Sequence, residues 1–390
     1  MARNLSVGID IGSHTTRVAV LEHGDKDSGF SVVARGKAES RGIRHGYVVN
    51  EEEATQSLKQ AIRRAQKQGD TPLRHALVAI GGLSLESVTG TASIMISRID
   101  GEITEADVSR VVEVCEESLK LANKSVLHRI PLGFRLDNKE VLGRPIGMRG
   151  VKLEARVVFV VALEQHLSDL IRIVENAGIE VDDVVAAPIA ASLVTLTKAQ
   201  RTAGCVLANI GAETVSIAVF ENDRLISLEV FPIGSTDITN DIALGLKIPL
   251  EEAEEVKNGE RSASDYPKKK LDEIIGARLN DIFELIENHL KKLGKNELLP
   301  AGIILTGAGA GIAGIEDLAK SALRLPARVV APRTFTDTKK EALEAEWAVA
   351  VGLCVLGFEP SFQSDLFSTS RFEAQSLFRT FRAWLRQFYP

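Results

Sequence analysis

The 390-residue sequence has few cysteines, no long apolar run and no excess of positive charge. Its three cysteines, Cys115, Cys205 and Cys354, form no CxxC motif or Cys/His cluster, which argues against a disulfide framework or a zinc site and fits a reducing cytoplasm. No stretch approaches the roughly 18 to 20 apolar residues needed to span a bilayer, and the N-terminal residues do not have the pattern of a signal peptide. A net charge of −6 argues against general affinity for nucleic acid or anionic lipid, so any basic function must be local.

The most informative pattern is an apolar strand that ends in a glycine turn and is followed by a second strand. It occurs at residues 5–21 and again at 205–220, roughly 200 residues later. A third apolar strand, at 303–306, leads into the glycine-rich turn 307–311. We interpret the sequence as two α/β lobes that each open with a strand, a turn and a strand.

Two helix starts are also predicted. From Asn50 a helical pattern follows, and the glutamates at 51–53 favour a helix N-terminus. Thr104 with Asp107 resembles a capping box that opens an amphipathic helix, whose apolar residues are Val108, Val111, Val112 and Cys115.

Two facing hairpin turns and a late glycine-rich turn are what a phosphate-binding cleft requires. Backbone N–H groups in turns 12–15 and 211–214 could point at phosphate oxygens from opposite lobes, and glycine lets the backbone approach a ligand closely. Asp10, at the end of its strand, could hold a magnesium ion through water. Each piece alone is a weak signal, but the three in this order are a much stronger one.

These segments resemble the actin/Hsp70/sugar-kinase superfamily. Residues 7–20 resemble its first phosphate loop, 206–220 the second, 303–311 the adenosine loop and 346–353 the second connecting helix. The resemblance implies an actin-like (ribonuclease H-like) two-lobed α/β fold with mixed sheets that binds ATP and Mg²⁺ between the lobes.

Within that superfamily, several stretches resemble the FtsA family of bacterial cell division proteins. They are 40–42 with 46–50, 126–131, 145–151 and 253–257. The resemblance covers nearly the whole chain and implies the inserted subdomain that this family carries.

The predicted divisions are 1–82 and 162–198 for the core of lobe 1, 83–161 for the inserted subdomain, 199–238 and 301–358 for the core of lobe 2, 239–300 for a partner-binding subdomain, 359–375 for a flexible linker and 376–390 for a membrane-targeting amphipathic helix.

The resemblance also implies a set of nucleotide-binding residues. His14 is either a donor to a phosphate or a plain turn residue, and the two interpretations have equal support. Glu254 and Lys257 match the family helix that contacts ribose and adenine; the alternative is that they are surface charges. The set is Asp10, Gly12, Ser13, His14, Thr15, Asn209, Gly211, Ala212, Glu213, Thr214, Glu254, Lys257, Gly307, Ala308 and Gly309.

The second phosphate loop departs from the family pattern Asp-x-Gly-Gly-Gly-Thr-x-Asp. Asn209 replaces the first aspartate and removes a charge that would help to place magnesium or the attacking water. Glu213 adds an acid beside the phosphates, which either repels them or supplies a replacement metal ligand. We therefore expect nucleotide binding with slow ATPase activity at most, and the alternative is a degenerate loop that binds nothing.

A long amphipathic helix after Pro267 matches the family helix that receives the acidic C-terminal tail of FtsZ. Lys270, Arg278 and Asp281 are the residues this match implies, and the alternative is an ordinary solvated face. The resemblance further implies head-to-tail self-assembly, other divisome partners, no nucleic acid, and a location on the cytoplasmic face of the cell membrane at the division site.

The last residues have the pattern of a helix that lies in a membrane surface. Bulky apolar residues share one helical face, while arginines flank the other. A single such helix anchors weakly, so polymerisation would strengthen attachment through avidity. The alternative, a helix packed on its own domain, is disfavoured by the polar stretch 359–375, which is typical of a linker. The membrane residues are Leu377, Phe378, Arg379, Phe381, Arg382, Trp384, Leu385, Arg386 and Phe388.

Two other functions share the predicted fold. A PilM-like pilus-assembly ATPase would normally lack the C-terminal amphipathic helix, and a small-molecule kinase would need a cleft aspartate as general base towards a hydroxyl. The PilM-like alternative leaves the C-terminal amphipathic helix unexplained, and the kinase alternative leaves both that helix and the FtsA-like segments unexplained. The sequence therefore favours an ATP-binding division protein that tethers FtsZ filaments to the membrane.

Overall fold

The computed structural model describes residues 4–24, 29–259, 266–333 and 343–358. These residues divide into two compact units: one contains the described parts of 4–88, 121–127 and 160–358, and the other contains Thr89–Lys120 and His128–Phe159. The predicted linker 359–375 and the predicted amphipathic helix 376–390 lie outside the described residues. Among the residues that are described, no helix is both long enough and apolar enough to cross a bilayer.

Strands and helices both occur throughout the described chain. The strands are β1 (Leu5–Ile11), β2 (Thr15–His23), β3 (Phe30–Glu39), β4 (Ile43–Arg44), β5 (Tyr47–Val48), β6 (His75–Ile80), β7 (Glu86–Met95), β8 (Lys124–Leu136), β9 (Lys139–Val141), β10 (Lys152–Leu163), β11 (Glu180–Ala186), β12 (Cys205–Ile210), β13 (Val215–Glu221), β14 (Arg224–Phe231), β15 (Ile303–Thr306) and β16 (Ala327–Val329). The helices are α1 (Glu51–Gly69), α2 (Glu105–Glu117), α3 (Glu164–Asn176), α4 (Ala187–Thr195), α5 (Lys198–Ala203), α6 (Ser235–Leu246), α7 (Leu250–Lys257), α8 (Lys268–Lys292), α9 (Ile315–Leu323) and α10 (Ala348–Phe358).

The first lobe is built on a five-stranded mixed sheet with the order β11-β6-β1-β2-β3. β1, β2 and β3 are antiparallel neighbours, whereas β6 and β11 run parallel to β1. α1 packs against β3, and Asn50 caps it by accepting a hydrogen bond from the N–H of Glu53. Three glutamates in its first turn complement the helix dipole, so the predicted helix start at Asn50 is confirmed.

The second lobe repeats this arrangement. Its sheet has the order β14-β13-β12-β15-β16, in which β12, β13 and β14 are antiparallel neighbours and β15 and β16 run parallel to β12. Both predicted strand–turn–strand hairpins are confirmed, and the repeat extends to the strand order of the two sheets. The apolar side chains of β12, β13 and β15 form one core with those of α6, α8 and α9. The fold is therefore α/β with two similar lobes, as the sequence indicated.

The smaller unit contains most of a four-stranded sheet, of order β7-β10-β8-β9, and the helix α2. Thr104 and Asp107 form the predicted capping box at the start of α2: each side chain bonds the other residue's backbone N–H. Val108, Val111, Val112 and Cys115 are the buried residues of this helix, in agreement with the predicted apolar face.

α10 is a helix of the larger unit that is buried over almost its whole length. It is apolar on all sides and contacts α4, β1, β2 and β6. Contact between its backbone and that of α4 depends on Gly352, because a Cβ at this position would lie 1.9 Å from the carbonyl oxygen of Ala190. Gly8 of β1 faces α10 in the same way: a Cβ at this position would lie 2.2 Å from the carbonyl oxygen of Ala350. Glycine is therefore required on both sides of α10 for it to pack this closely.

Gly352→Ala is expected to lower the thermal unfolding midpoint, because α10 must move away from α4 to admit the methyl group; overpacking of this kind costs about 1–3 kcal/mol. Gly276→Ala is the matched control. It lies within α8, where a Cβ would meet no atom within 4 Å, and the better helix propensity of alanine should stabilise the protein by up to about 1 kcal/mol. Thermal unfolding followed by circular dichroism measures both variants. An unchanged or raised midpoint in Gly352→Ala would show that α10 does not depend on this glycine.

Candidate functional site

The two hairpin turns at the ends of β1 and β12 have the same internal geometry. The N–H of Gly12 donates to the carbonyl of Thr15 at 3.1 Å, and the N–H of Gly211 donates to the carbonyl of Thr214 at 2.9 Å. These two N–H groups therefore close their own turns. The backbone groups left to donate to a bound phosphate are the remaining N–H groups of residues 13–15 and 212–214.

The turn of the first lobe is supported by the chain around Ser40 and by the hairpin β4–β5. The carbonyl of His14 accepts the N–H of Ser40 at 2.9 Å, while the His14 side chain is exposed. Thr15 is buried at the start of β2. The hydroxyl of Ser13 accepts the N–H of Gly46 at 3.0 Å. The side chain of Ser13 is thus fixed by a second structural element.

The turn of the second lobe is held against the start of α6. The N–H of Ser235 donates to the carbonyl of Gly211 at 2.9 Å, and the N–H of Thr236 donates to that of Ala212 at 2.8 Å. A carboxylate oxygen of Asp237 accepts the N–H of Gly234 and so caps the same helix end. Both predicted phosphate turns are consequently rigid features of their lobes.

Asp10 lies partly buried next to a network of charged side chains. It pairs across the hairpin with Arg17, whose guanidinium donates to Glu346 at 2.6 Å, and Lys37 also donates to Glu346 at 2.8 Å. Burial raises the pKa of Asp10 to about 6, although Arg17 acts in the opposite direction and Glu346 adds to the rise. Burial also acts to raise the pKa of Glu346, but the charges of Arg17 and Lys37 outweigh it and lower that pKa.

Arg17 and Lys37 were not among the predicted site residues. Arg17 is buried beside Asp10, and its Nε has no hydrogen-bond partner among the described residues. Its link to Glu346 spans 329 positions of sequence. A signal was present nonetheless, because a charged residue inside an otherwise apolar strand is rarely buried without a specific partner.

The second phosphate turn and the predicted adenosine loop are neighbours. Asn209 of β12 pairs in register with Thr306 of β15, directly before Gly307. The N–H of Gly307 donates to the carbonyl of Ala345 at 3.3 Å, and a short 3₁₀ helix, Ala308–Gly311, follows. The structure thus brings Gly307, Ala308 and Gly309 to the edge of the sheet where Asn209 and Gly211 lie.

Lys257 is buried and is satisfied by protein acceptors. Its ammonium group donates to Glu254 at 2.7 Å, to the Thr239 hydroxyl at 2.9 Å and to the carbonyl of Ser235 at 3.3 Å. Burial lowers the pKa of Lys257 despite the Glu254 partner. For Glu254, burial acts to raise the pKa, but the bonds from Lys257 and Thr239 outweigh it and lower that pKa. The pair therefore fastens α7 to α6, in addition to any role towards a nucleotide.

Glu213 reaches from the second lobe to the first. Its carboxylate accepts the guanidinium of Arg44 at 2.8 Å and the N–H of His45 at 2.6 Å. Burial acts to raise the pKa of Glu213, but these hydrogen bonds outweigh it and lower that pKa. Arg44 and His45 are further residues that the sequence reasoning missed. They fall between the segments 40–42 and 46–50 that carried the family resemblance.

The residues predicted to receive a partner peptide lie on α8. Arg278 makes a two-point ion pair with Asp241 of α6, at 2.7 and 3.1 Å, and a further contact with Asp281 at 3.3 Å. Lys270 is exposed in the first turn of the helix. The apolar stripe of α8 packs into the core of its own lobe, so the surface open to a partner is the charged side of the helix. The buried residues of that stripe are Leu271, Leu279, Ile282, Phe283, Ile286 and Leu290.

Within the described ranges, no three His, Cys, Asp or Glu side chains converge in a way that would hold a metal ion. Magnesium is commonly held by one or two carboxylates together with water and the phosphates of a nucleotide. A single carboxylate at the end of β1, next to a phosphate turn, fits that mode of binding.

Comparisons with known proteins agree with this architecture. Residues 206–352 match the family model described as "Cell division protein FtsA", and residues 82–161 match "SHS2 domain inserted in FTSA". The cell division protein FtsA of Pseudomonas aeruginosa is 30% identical over 385 residues, which cover 93% of this chain and 91% of that protein. FtsA of Bacillus subtilis is 31% identical over 349 residues, which cover 84% of this chain and 79% of that protein.

Solved structures show the same fold at lower sequence identity. A chain of the PilM–PilN type IV pilus biogenesis complex has a TM-score of 0.68 at 18% identity and matches 91% of this chain and 99% of its own length. MreB5 of Spiroplasma citri bound to AMPPNP has a TM-score of 0.53 at 13% identity, with 94% and 100% covered. The fold is therefore actin-like with an inserted SHS2 domain, and the chain belongs to the FtsA family of cell division proteins.

Proposed function

We propose that this protein binds ATP with Mg²⁺ between its two lobes, assembles head to tail, and holds FtsZ filaments against the cytoplasmic face of the membrane at the division site. The observation that carries the proposal is the pair of equivalent hairpin turns, one from each lobe, with Glu213 of the second turn bonded to Arg44 and His45 of the first lobe. Membership of the FtsA family supports the cellular role. Other divisome proteins are expected as partners, and nucleic acid is not.

The nucleotide part of the proposal rests on the turns and on Asp10. Ser13 and the N–H groups of both turns would hold the phosphates, and Gly307–Gly309 would adjoin the adenosine; MreB5 of Spiroplasma citri, which shares the fold, is bound to AMPPNP. Bound Mg²⁺ would neutralise phosphate charge, and Asp10 would hold it through water. An amide at Asn209 supplies no charge for placing metal or water, which supports slow hydrolysis at most.

Asp10→Asn is expected to stabilise the nucleotide-free protein at neutral pH. The folded state keeps the Asp10 proton up to about pH 6, while the unfolded state loses it near the ordinary value of 3.8. Stability is therefore lost as the pH rises between these values, and above pH 6 the full penalty is on the order of 2–3 kcal/mol. Asparagine cannot ionise and removes the penalty. Urea unfolding at pH 8 and at pH 4 measures the effect.

The stabilisation should be large at pH 8 and nearly absent at pH 4, and Mg²⁺-dependent nucleotide binding should weaken at the same time. Asp317→Asn, on the exposed side of α9, is the control for the loss of one carboxylate. A variant destabilised equally at both pH values would contradict the assignment of Asp10 as a strained functional carboxylate.

The FtsZ part of the proposal rests on the charged side of α8. An acidic peptide tail would meet the exposed Lys270 and the guanidinium of Arg278, which its bond to Asp241 already orients. Because Asp241 partly neutralises Arg278, the peptide must supply a stronger or additional carboxylate contact. Exposed lysines would contribute mainly to the rate of association.

Arg278→Glu is expected to weaken binding of a labelled FtsZ C-terminal peptide at least tenfold, because the loss of one charge-assisted contact is worth about 1.5–3 kcal/mol. Fluorescence anisotropy measures the affinity. Lys270→Glu should weaken it less and in a salt-dependent way, which provides a test that leaves the Asp241 contact intact. Arg324→Glu, at the end of α9, is the matched charge control. Unchanged affinity in both α8 variants would place the peptide elsewhere.

The membrane part of the proposal rests on the sequence of residues 376–390. Deleting them should abolish co-sedimentation with anionic liposomes, and Trp384→Glu should come close to doing so, because a charge would enter the apolar face. Ala383→Glu is the matched control, since helical spacing places residue 383 on the opposite face. Pelleting of the deletion variant at the level of the full chain would contradict membrane targeting by this segment.

The support for a pilus-assembly role is the similarity of the fold to the PilM–PilN structure. At 18% identity, that likeness extends to the fold alone. The matches to FtsA in sequence and in family model give the division role the stronger support.

A further inference from the structure

We propose that the Glu213 carboxylate is an internal anion that occupies hydrogen-bond donors of the phosphate cleft. In the absence of nucleotide its bonds to Arg44 and His45 hold the two lobes together, and this contact is called the clasp. The clasp makes the cleft favour a nucleoside diphosphate over the triphosphate. This inference rests on the proposed binding of adenine nucleotide between the lobes. It concerns a position at which the sequence departs from the glycine of the family pattern.

The contacts of the Glu213 carboxylate are those that proteins use to hold phosphate oxygens. They are the Nη1 of Arg44 at 2.8 Å and the backbone N–H of His45 at 2.6 Å. The side chain of Glu213 is only 13% exposed, whereas that of Arg44 is 72% exposed, so the carboxylate is shielded from water more than its partner is. A carboxylate of the second lobe thus uses an anion-binding set that belongs to the first lobe.

The donors of the first lobe are held in place by their own supports. His45 and Gly46 form the two-residue turn of the hairpin β4–β5, both with positive φ, and the Gly46 N–H donates to the Ser13 hydroxyl. The carbonyl of Gly46 lies 2.8 Å from the Nε2 of the buried His166, which must donate because a carbonyl only accepts. The Nδ1 of His166 then accepts the Ser84 hydroxyl at 2.7 Å.

The acceptor is fixed as well. The carbonyls of Gly211 and Ala212, just before Glu213, are bonded to the first N–H groups of α6. The carbonyl of Glu213 itself lies 3.2 Å from Nδ1 of His45, which donates to it. Both sides of the contact are therefore preorganised, and no long flexible side chain has to be ordered except that of Arg44.

The position of this clasp, between the two phosphate turns, determines its effect on nucleotides. Ser13 belongs to the first turn and Glu213 to the second, so a terminal phosphate that enters between them meets the negative charge of the Glu213 carboxylate. A diphosphate is shorter by one phosphate and carries less charge. It should be disfavoured less by the carboxylate than the triphosphate.

The first test compares the affinities of ATP and ADP, each with Mg²⁺, for the full chain and its Glu213→Gln variant by isothermal titration calorimetry. Glutamine keeps the size of the side chain and removes the charge. The ratio of ATP affinity to ADP affinity should rise at least about fivefold in the variant. Glu297→Gln, which removes one carboxylate from a surface ion pair with Arg324 in the same lobe, should leave the ratio unchanged.

An unchanged ratio in Glu213→Gln would overturn the proposal. A shift in favour of ADP would also overturn it, because it would mean that Glu213 holds the metal of the triphosphate. A failure of every variant to bind either nucleotide would contradict the proposed nucleotide function and, with it, the discrimination between the two nucleotides.

The second test needs no nucleotide and measures the clasp directly. Hydrogen–deuterium exchange of the nucleotide-free protein should be faster at residues 43–48 in Glu213→Gln, by at least about fivefold, because the His45 N–H loses a charged acceptor. Arg44→Gln, which removes the partner from the other lobe, should accelerate exchange at residues 211–215. Exchange at the rate of the unmodified chain in both variants would show that Glu213 does not hold the lobes together.

Discussion

The structure of the larger unit depends on a hairpin whose turn is closed by a single backbone hydrogen bond, and this hairpin is used twice. β1 and β12 are each central strands, with an antiparallel partner on one side and a parallel partner on the other. The turn after such a strand lies at the same edge of the sheet as the ends of its parallel neighbours, which is where ligands bind in open α/β sheets. Two lobes with this topology bring two turns together, and the elements that support the turns become the walls of a site.

The charged residues of this site are already paired within the protein. Buried charge is costly unless an opposite charge and hydrogen bonds compensate it. Arg17 and Lys37 meet Glu346, Lys257 meets Glu254, and Arg44 meets Glu213. A nucleotide that enters would therefore exchange partners with these groups. Asp10 is the exception: it lies close to both signs of charge, and its raised pKa shows that its ionised form is poorly compensated without a cation.

Local sequence signals were sufficient for much of the fold. The alternation of apolar strands and glycine turns predicted both hairpins, Asn50 with the following glutamates predicted the start of α1, and Thr104 with Asp107 predicted the start of α2. Each of these signals acts between residues that are close in sequence. The resemblance to a known family supplied the inserted subdomain, which local patterns describe only as mixed strands and a helix.

The charge network could not be predicted in the same way. The Arg44–Glu213 contact joins residues 169 positions apart, and the Arg17–Glu346 contact joins residues 329 positions apart. No periodicity connects such residues, because their proximity follows from the packing of the two lobes and of α10 rather than from either local segment. The family resemblance did not help with Arg44 and His45, since it rested on the flanking residues. It identified Lys257 through its helix, but it did not indicate that the ammonium group would be saturated by Glu254, Thr239 and Ser235.

The second phosphate turn differs from the family pattern both at its ends and at its tip. The family pattern has an aspartate at each end of this turn, and this chain has Asn209 and Ser216 at those positions, with a new carboxylate at Glu213. Negative charge has thus moved from the strand ends, where it would organise a metal ion or water, to the tip of the turn, where it faces Arg44 and the His45 N–H. A glutamate at the tip without these donors would be a buried, uncompensated charge, and Arg44 without the glutamate would lose its partner in the cleft. The turn and the hairpin β4–β5 therefore form one electrostatic unit, in which the carboxylate of Glu213 in the second lobe is bonded to Arg44 and His45 of the first.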